Sequence, residues 1–305
     1  MRRGILAINA AVLTGLILSV LIWPPIYGTR VIGSGDLARG EIPAMAYAWH
    51  EQLSGALAPW ATERVESGRA AGLSVEDIAG TEWPMFSAVF YLWATEALQD
   101  AAATANVPIE QQPVTYADAA IRAAAALIAD PAHATWVREH WGDAYLERKN
   151  LFYRMLLISG LTSFQALLGD ALYETQLRAQ VTSLAAELDA SPYGLLDDYP
   201  GQCYPIDIVP AIAAIGRADR VLGTDHSAMI ARAVRGFEGD RLDPTTGLPA
   251  YLANSRTGQG IGAARGVGVA FMTIWAAEMW PAVAELVCRA STAFLAGRGV
   301  GPRSP

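Results

Sequence analysis

Lysine is nearly missing from this sequence: Lys149 is the only one in 305 residues, and the arginines are scattered along the chain. At a net charge of −8 there is no clustered basic surface to displace counterions, which excludes a nucleic-acid partner. Cysteine is as scarce. Cys203 and Cys288 are the whole complement, with no CxxC pair and no Cys/His cluster, so a structural zinc site is not expected. The two can pair outside the cytoplasm only if their Cα atoms approach, which sequence spacing does not decide. The histidines, His50, His133, His140 and His226, lie apart, and no Ser-His-Asp or metal constellation follows from them. His133 and His140 suit a solvated helix, and His226 a helix start. Long β-branched runs are rare after the N-terminal segment, which removes the usual signal for strands.

Apolar residues and alanine are what the chain has in plenty. Hydrophobic residues make up 52%, enough to bury a substantial core in one large domain or two small ones. The alanine content favours helix, and the fold class expected is all-α.

The N-terminus reads Met1-Arg2-Arg3, then Ile5 to Trp23 without a charge. Such a helix measures roughly 28 Å, close to the bilayer core. Arg2 and Arg3 hold the start in the cytoplasm, which sends the remainder outward to the periplasm or cell exterior. A cleaved signal peptide is the rival reading. The stretch is long for one, and Trp23-Pro24-Pro25 follows in place of a small-x-small site, so residues 1–32 are expected to be an uncleaved membrane anchor.

A linker over 33–40 leads into a helical domain over 41–296, and a Gly/Arg/Pro-rich tail over 297–305 closes the chain. Periodicity predicts helices near 42–58, 84–102, 115–129, 151–168, 172–189, 208–222, 226–237 and 267–280, with a last stretch to about 296. Breakers such as Asp130-Pro131, Gly169-Asp170 and Gly223-Thr224 separate them, and no strand is predicted. Segments rich in aromatics and carboxylates precede the helices starting near 84, 151, 208 and 267. Those starts lie 67, 57 and 59 residues apart (151−84, 208−151, 267−208). One further helix fits in each interval, so the unit is a hairpin of roughly 60 residues, and every second helix faces inward. The loops before the inner helices then form one rim.

Four segments supply that rim. Tyr193 to Asp207 concentrates Asp197, Asp198, Tyr199, Cys203, Tyr204 and Asp207. Carboxylates beside aromatic rings can be desolvated into general acids, and a phenol can orient a proton. Asp197 on its own reads as a turn former, and Asp207 also suits the start of the helix at Ile208. Gly80 to Trp93 brings Glu82 and Trp83 before Pro84, with Thr81 or Glu82 as N-terminal residues; Phe86, Phe90 and Trp93 form a stripe that reads as core. In Glu147 to Arg154, Asn150 reads as an N-cap, Phe152 and Tyr153 as cavity lining, and Arg154 as solvated. From Asp243 to Gly268 the turn signals dominate, leaving Tyr251 and Arg265 as candidates; Gly258-x-Gly260-x-Gly262 has no preceding strand and is a weak phosphate-loop signal.

With these motifs in view, the chain resembles the linalool dehydratase/isomerase family from about Thr81 to Ala284. The likeness is best from Lys149-Asn150-Leu-Phe-Tyr through Ser191-Pro-Tyr, Asp198 to Asp207 and Asp243-Pro-x-x-Gly247. It implies an (α/α)6-type barrel, extracytoplasmic placement, a homo-oligomeric ring, and acid–base chemistry on a small, largely apolar alcohol without a metal or cofactor. The family's two active-site cysteines fall on Asp198 and Asp207, its glutamate on Tyr199, its histidine on Leu156 and its tyrosine on Phe86; Cys203 lies between the cysteine positions. A Cys/His site is thereby replaced by an Asp/Tyr site. The expected catalytic groups are Asp198, Asp207, Glu82 and Tyr199. Trp83, Phe86, Phe152, Tyr193, Cys203, Tyr204, Tyr251 and Arg265 are the expected substrate contacts. Paired carboxylates with Tyr193, Tyr199, Tyr204 and Trp83 as platforms suit equally a carbohydrate-active (α/α)-barrel, a hydrolase or epimerase. About nine helices after the anchor fall short of the twelve in a closed barrel. The third expectation is therefore a truncated, inactive or partner-dependent subunit.

Overall fold

The structure, a computed structural model, describes residues 14–15, 18–32, 36, 39, 41–235, 243 and 248–279. Cys288, the last helical stretch to 296 and the tail lie outside these residues, as do positions 1–13 of the expected anchor and most of the linker. In residues 18–32 of that segment a π-helical turn, Leu18–Ile22, runs into α1 (Trp23–Ile32). Pro24 and Pro25 follow Trp23 at the start of α1. Leu18, Leu21, Ile22, Trp23 and Ile26 are exposed.

The chain is mostly helical. After α1 come α2 (Ala44–Ser67), α3 (Ile78–Thr104), α4 (Asp118–Ala129) and α5 (Thr135–Trp141). They are followed by α6 (Leu151–Leu168), α7 (Glu174–Ala190), α8 (Pro205–Leu222), α9 (Ser227–Arg235) and α10 (Gly266–Met279). Helices α3, α6, α8 and α10 pack in succession as an inner row; α4, α7 and α9 lie between them on the outside, and α2 covers α4. Between one inner helix and the next the chain passes through an outer one, so the inner helices run the same way. Their N-terminal ends meet on one face.

Several local expectations are corrected. Helix α3 begins at Ile78, not near Pro84, because Asp77 accepts the Gly80 N–H at 3.0 Å and caps it. Thr81 and Glu82 therefore lie within the helix, and Pro84 cannot donate to the Gly80 carbonyl four residues back. Arg64 does so in its place, at 2.6 Å. His133 is buried, not solvated: Asp130 faces its Nδ1 at 2.8 Å and the Arg64 guanidinium reaches Nε2 at 3.3 Å. Arg154 is likewise fully buried. It donates to Glu187 at 2.6 Å, Gln180 at 3.0 Å and Ser183 at 2.8 Å, tying α6 to α7. Asn150 holds the N-cap position of α6 as expected, but with a left-handed backbone (φ 49), and its side chain donates to the Tyr145 carbonyl and not to the helix end. A short hairpin, β1 (Leu252–Ala253) with β2 (Gly260–Ile261), occupies a segment where no strand was expected. The turn Asn254 to Gly258 closes it, with Asn254 accepting from Arg256 at 2.9 Å.

Helix α6 is the spine of the core. Thirteen of the fourteen positions from Leu151 to Phe164 are buried. Among the described residues it is also the one helix long and apolar enough to cross a membrane, and its burial marks it as a core helix. Gly160 permits α4 to close on it, since a Cβ there would lie 2.5 Å from Ile128 Cδ1.

Candidate active site

The converging N-terminal ends of the inner helices enclose a cleft of about 570 Å³. Phe86 of α3, Phe152 of α6, Ile206 and Asp207 of α8, Tyr251, Arg265 and Phe271 of α10 line it. A smaller cavity of about 230 Å³ adjoins, lined by Glu82, Trp83, Phe86 and Phe152. The rings of Phe86 and Phe152, 6.1 Å apart, belong to both spaces, the one that Glu82 lines and the one that Asp207 lines. The stripe expected to be core is turned toward α10: Phe86 and Phe90 meet Phe271 at 5.9 and 6.0 Å, and Trp93 stacks on Trp275 at 4.2 Å.

Asp207 sits in the first turn of α8, following Pro205 at the helix start. Burial among apolar groups raises its carboxyl to about 7. Asp198 lies behind it, on the loop before α8. It is buried, its Oδ2 accepts the Tyr204 N–H at 2.8 Å, and Oδ1 makes no hydrogen bond among the described residues. Burial first, and then the neighbouring Asp207 carboxylate, hold Asp198 well above the usual range. Two carboxyls this close in an apolar setting do not both ionise at neutral pH.

Glu82 is half-buried on α3. Burial raises its carboxyl, while the hydrogen bond from Tyr199 and the nearby His140 oppose that rise. The Tyr199 hydroxyl donates to Glu82 Oε1 at 3.0 Å, and burial and the Glu82 charge keep the phenol protonated well beyond its ordinary value. His140 meets the Tyr199 ring edge-on at 5.6 Å, and Trp136 lies 6.3 Å away. Arg265 lies over the Tyr251 ring, 3.8 Å from its centroid, and Tyr251 meets Tyr204 edge-on at 5.2 Å.

Of the residues expected from sequence, Glu82, Trp83, Phe86, Phe152, Asp207, Tyr251 and Arg265 line these spaces. Asp198 and Tyr199 do not line them but act on residues that do, Tyr199 on Glu82 and Asp198 on Asp207. The other three lie off it. Tyr193 packs over Gly258, where φ is +75 and a Cβ would come within 2.4 Å of the Tyr193 ring. Cys203 is buried and its carbonyl takes the Ala253 N–H at 2.9 Å, pinning the site loop to the hairpin. Tyr204 hydrogen-bonds Gln202 at 2.8 Å and props Tyr251. Asp197, read as a turn former, has a definite partner. Burial pushes its carboxyl up, but Lys149 at 2.7 Å and Ser255 at 2.6 Å outweigh that and hold it below the usual range. A separate polar pocket of about 360 Å³ opens beside that pair.

Sequence reasoning missed Ile206, Phe271, Trp136 and His140. Phe271 and Trp275 are one helical turn apart, a signal that is legible only once α10 is known to face α3. Among the described residues, no three His, Cys, Asp or Glu side chains are grouped to hold a metal. No protein-family model matches this chain, and no curated protein matches it either.

Proposed function

We propose that this protein is an acid–base catalyst that removes water from, or isomerises, a small and largely apolar alcohol. The observation that carries this reading is the placement of Asp207 and Glu82 on adjoining spaces that share an aromatic wall. An apolar body fits against Phe86, Phe152 and Phe271, and a hydroxyl is the one part of such a molecule that a carboxyl can activate.

In this mechanism the protonated Asp207 donates to the hydroxyl oxygen. The C–O bond breaks with its electron pair leaving on water. The Glu82 carboxylate takes a proton from the adjacent carbon, and the C–H pair becomes the new double bond. Asp207 is left ionised and Glu82 protonated, and exchange with water restores both. With an allylic alcohol the cation has a second fate: before proton loss, water adds to its other end and gives its proton to the Asp207 carboxylate, which yields the isomerised alcohol and reloads the acid. Tyr199 keeps Glu82 oriented, and Asp198, held neutral behind Asp207, leaves Asp207 as the group that titrates near neutral pH.

The reading extends to the fold and its setting. We take the two rows of helices as part of an (α/α)6-type barrel, and residues 5–23 as an anchor that leaves the domain outside the cytoplasm. A substrate screen of apolar alcohols against oligosaccharides tests the activity. Water loss from the alcohols supports it; turnover of oligosaccharides alone assigns the cleft to carbohydrate chemistry, and no turnover at all favours an inactive or partner-dependent subunit. Retention in the membrane fraction after an alkaline carbonate wash tests the anchor.

A further inference from the structure

Among the described residues, Arg265 is the only lysine or arginine on either cavity wall, and it forms no ion pair with a carboxylate, although Asp207 lines the same cleft. Its guanidinium lies on the Tyr251 ring, 3.8 Å from the centroid, and Tyr251 is itself braced by Tyr204. A guanidinium held over a ring by its charge still has N–H donors to offer, and an oxyanion can accept two of them at once. The next residue, Gly266, also lines the cleft, and a Cβ built there would meet nothing within 4 Å, so the space beside Arg265 is open. The first turn of α10 that starts there contains no acidic side chain. A cation held in place at the edge of an aromatic cleft, without a protein anion of its own, is suited to a charge carried by the ligand.

We infer that the substrate of this cleft carries an anionic group, a carboxylate or a phosphate ester, which Arg265 binds while the apolar remainder lies against Phe86, Phe152 and Phe271. The inference rests on the alcohol reading above and sharpens it, from an apolar alcohol to an amphipathic hydroxy-anion. It also fits the acid role of Asp207. An anion docked in the same cleft favours the protonated form of a neighbouring carboxyl, so binding of the correct substrate keeps the acid loaded.

The test is calorimetric titration of the full-length chain with octanoate, octyl phosphate and 1-octanol at pH about 6, where the probe carboxylate is ionised and Asp207 is largely protonated. At least one anion is expected to bind roughly tenfold or more tightly than octanol. Arg265→Gln is expected to bring that anion down to the octanol level, and Arg265→Lys to restore part of the preference. A stronger preference for octanoate identifies the carboxylate, and for octyl phosphate the phosphate ester. Equal affinities for all three probes in the wild type, or a preference that survives Arg265→Gln, overturns the inference. Failure of the alcohol reading has a different signature: Arg265-dependent anion binding persists while hydroxylated analogues lose no water.

Discussion

The Tyr199 hydroxyl donates to the Glu82 carboxylate at 3.0 Å, joining two residues 117 positions apart and linking the loop before α8 to the first turns of α3. That bond offsets part of the rise that burial imposes on Glu82. Tyr199→Phe is expected to raise the Glu82 carboxyl further, moving the acidic limb of the kcat profile to higher pH and lowering kcat about tenfold at neutral pH. KM should change little, since Tyr199 does not line the cleft. The pH dependence of steady-state turnover, compared between the two proteins, checks this.

Wild-type activity should follow a bell. The acid must be protonated, so turnover falls as pH rises through the Asp207 value of about 7. The base must be ionised, so turnover also falls on the acid side, at a pH above the ordinary glutamate range. A profile that is still rising above pH 8 would assign the acid to another group.

Stability carries the same signature with a definite sign. The Asp207 carboxyl is raised in the folded state from an ordinary 3.8 to about 7, so the folded chain holds a proton that the unfolded chain has lost. Its ionisation is therefore a penalty that is absent below pH 4, grows between 4 and 7, and is complete above 7. Asp207→Asn should gain stability relative to wild type across that window, by about 2 kcal/mol at pH 8 once the partial exposure of Asp207 is discounted. Urea midpoints of the two proteins at pH 4 and pH 8 give the comparison, and effects of other groups, such as the buried His50, cancel in it.

The buried Arg154 makes a further prediction. Its guanidinium is fully buried and its ionised partner is Glu187 at 2.6 Å. Glu187→Gln leaves that charge without a counter-ion and should cost about 3–5 kcal/mol, whereas Arg154→Met with Glu187→Leu should recover much of the loss. Chemical denaturation of the single and double variants reads this directly.

Much of this arrangement is legible in the sequence. The hairpin interval follows from breakers such as Gly169-Asp170 and Gly223-Thr224, and α6, α7 and α8 begin and end within a few residues of where periodicity puts them. The rim follows from the same interval, which is why Glu82, Phe152, Asp207 and Arg265 could be placed together. What was hidden depends on partners distant in the chain. Arg154 reads as solvated until Glu187, Gln180 and Ser183 on α7 face it. The start of α3 reads as Pro84 until Arg64 is seen to take the Gly80 carbonyl that proline abandons. That Phe86 and Phe90 face Phe271 is hidden as well, because a helical stripe gives no sign of which neighbour it will meet.

The most direct measurement is product analysis by gas chromatography of small apolar alcohols incubated with wild type, Asp207→Asn and Glu82→Gln. The expected result is dehydrated or isomerised product with wild type and a loss of at least about 10²-fold in each variant, with the fold retained. Full turnover by Asp207→Asn, or product from oligosaccharides and none from alcohols, would contradict the assignment of this cleft to acid–base elimination.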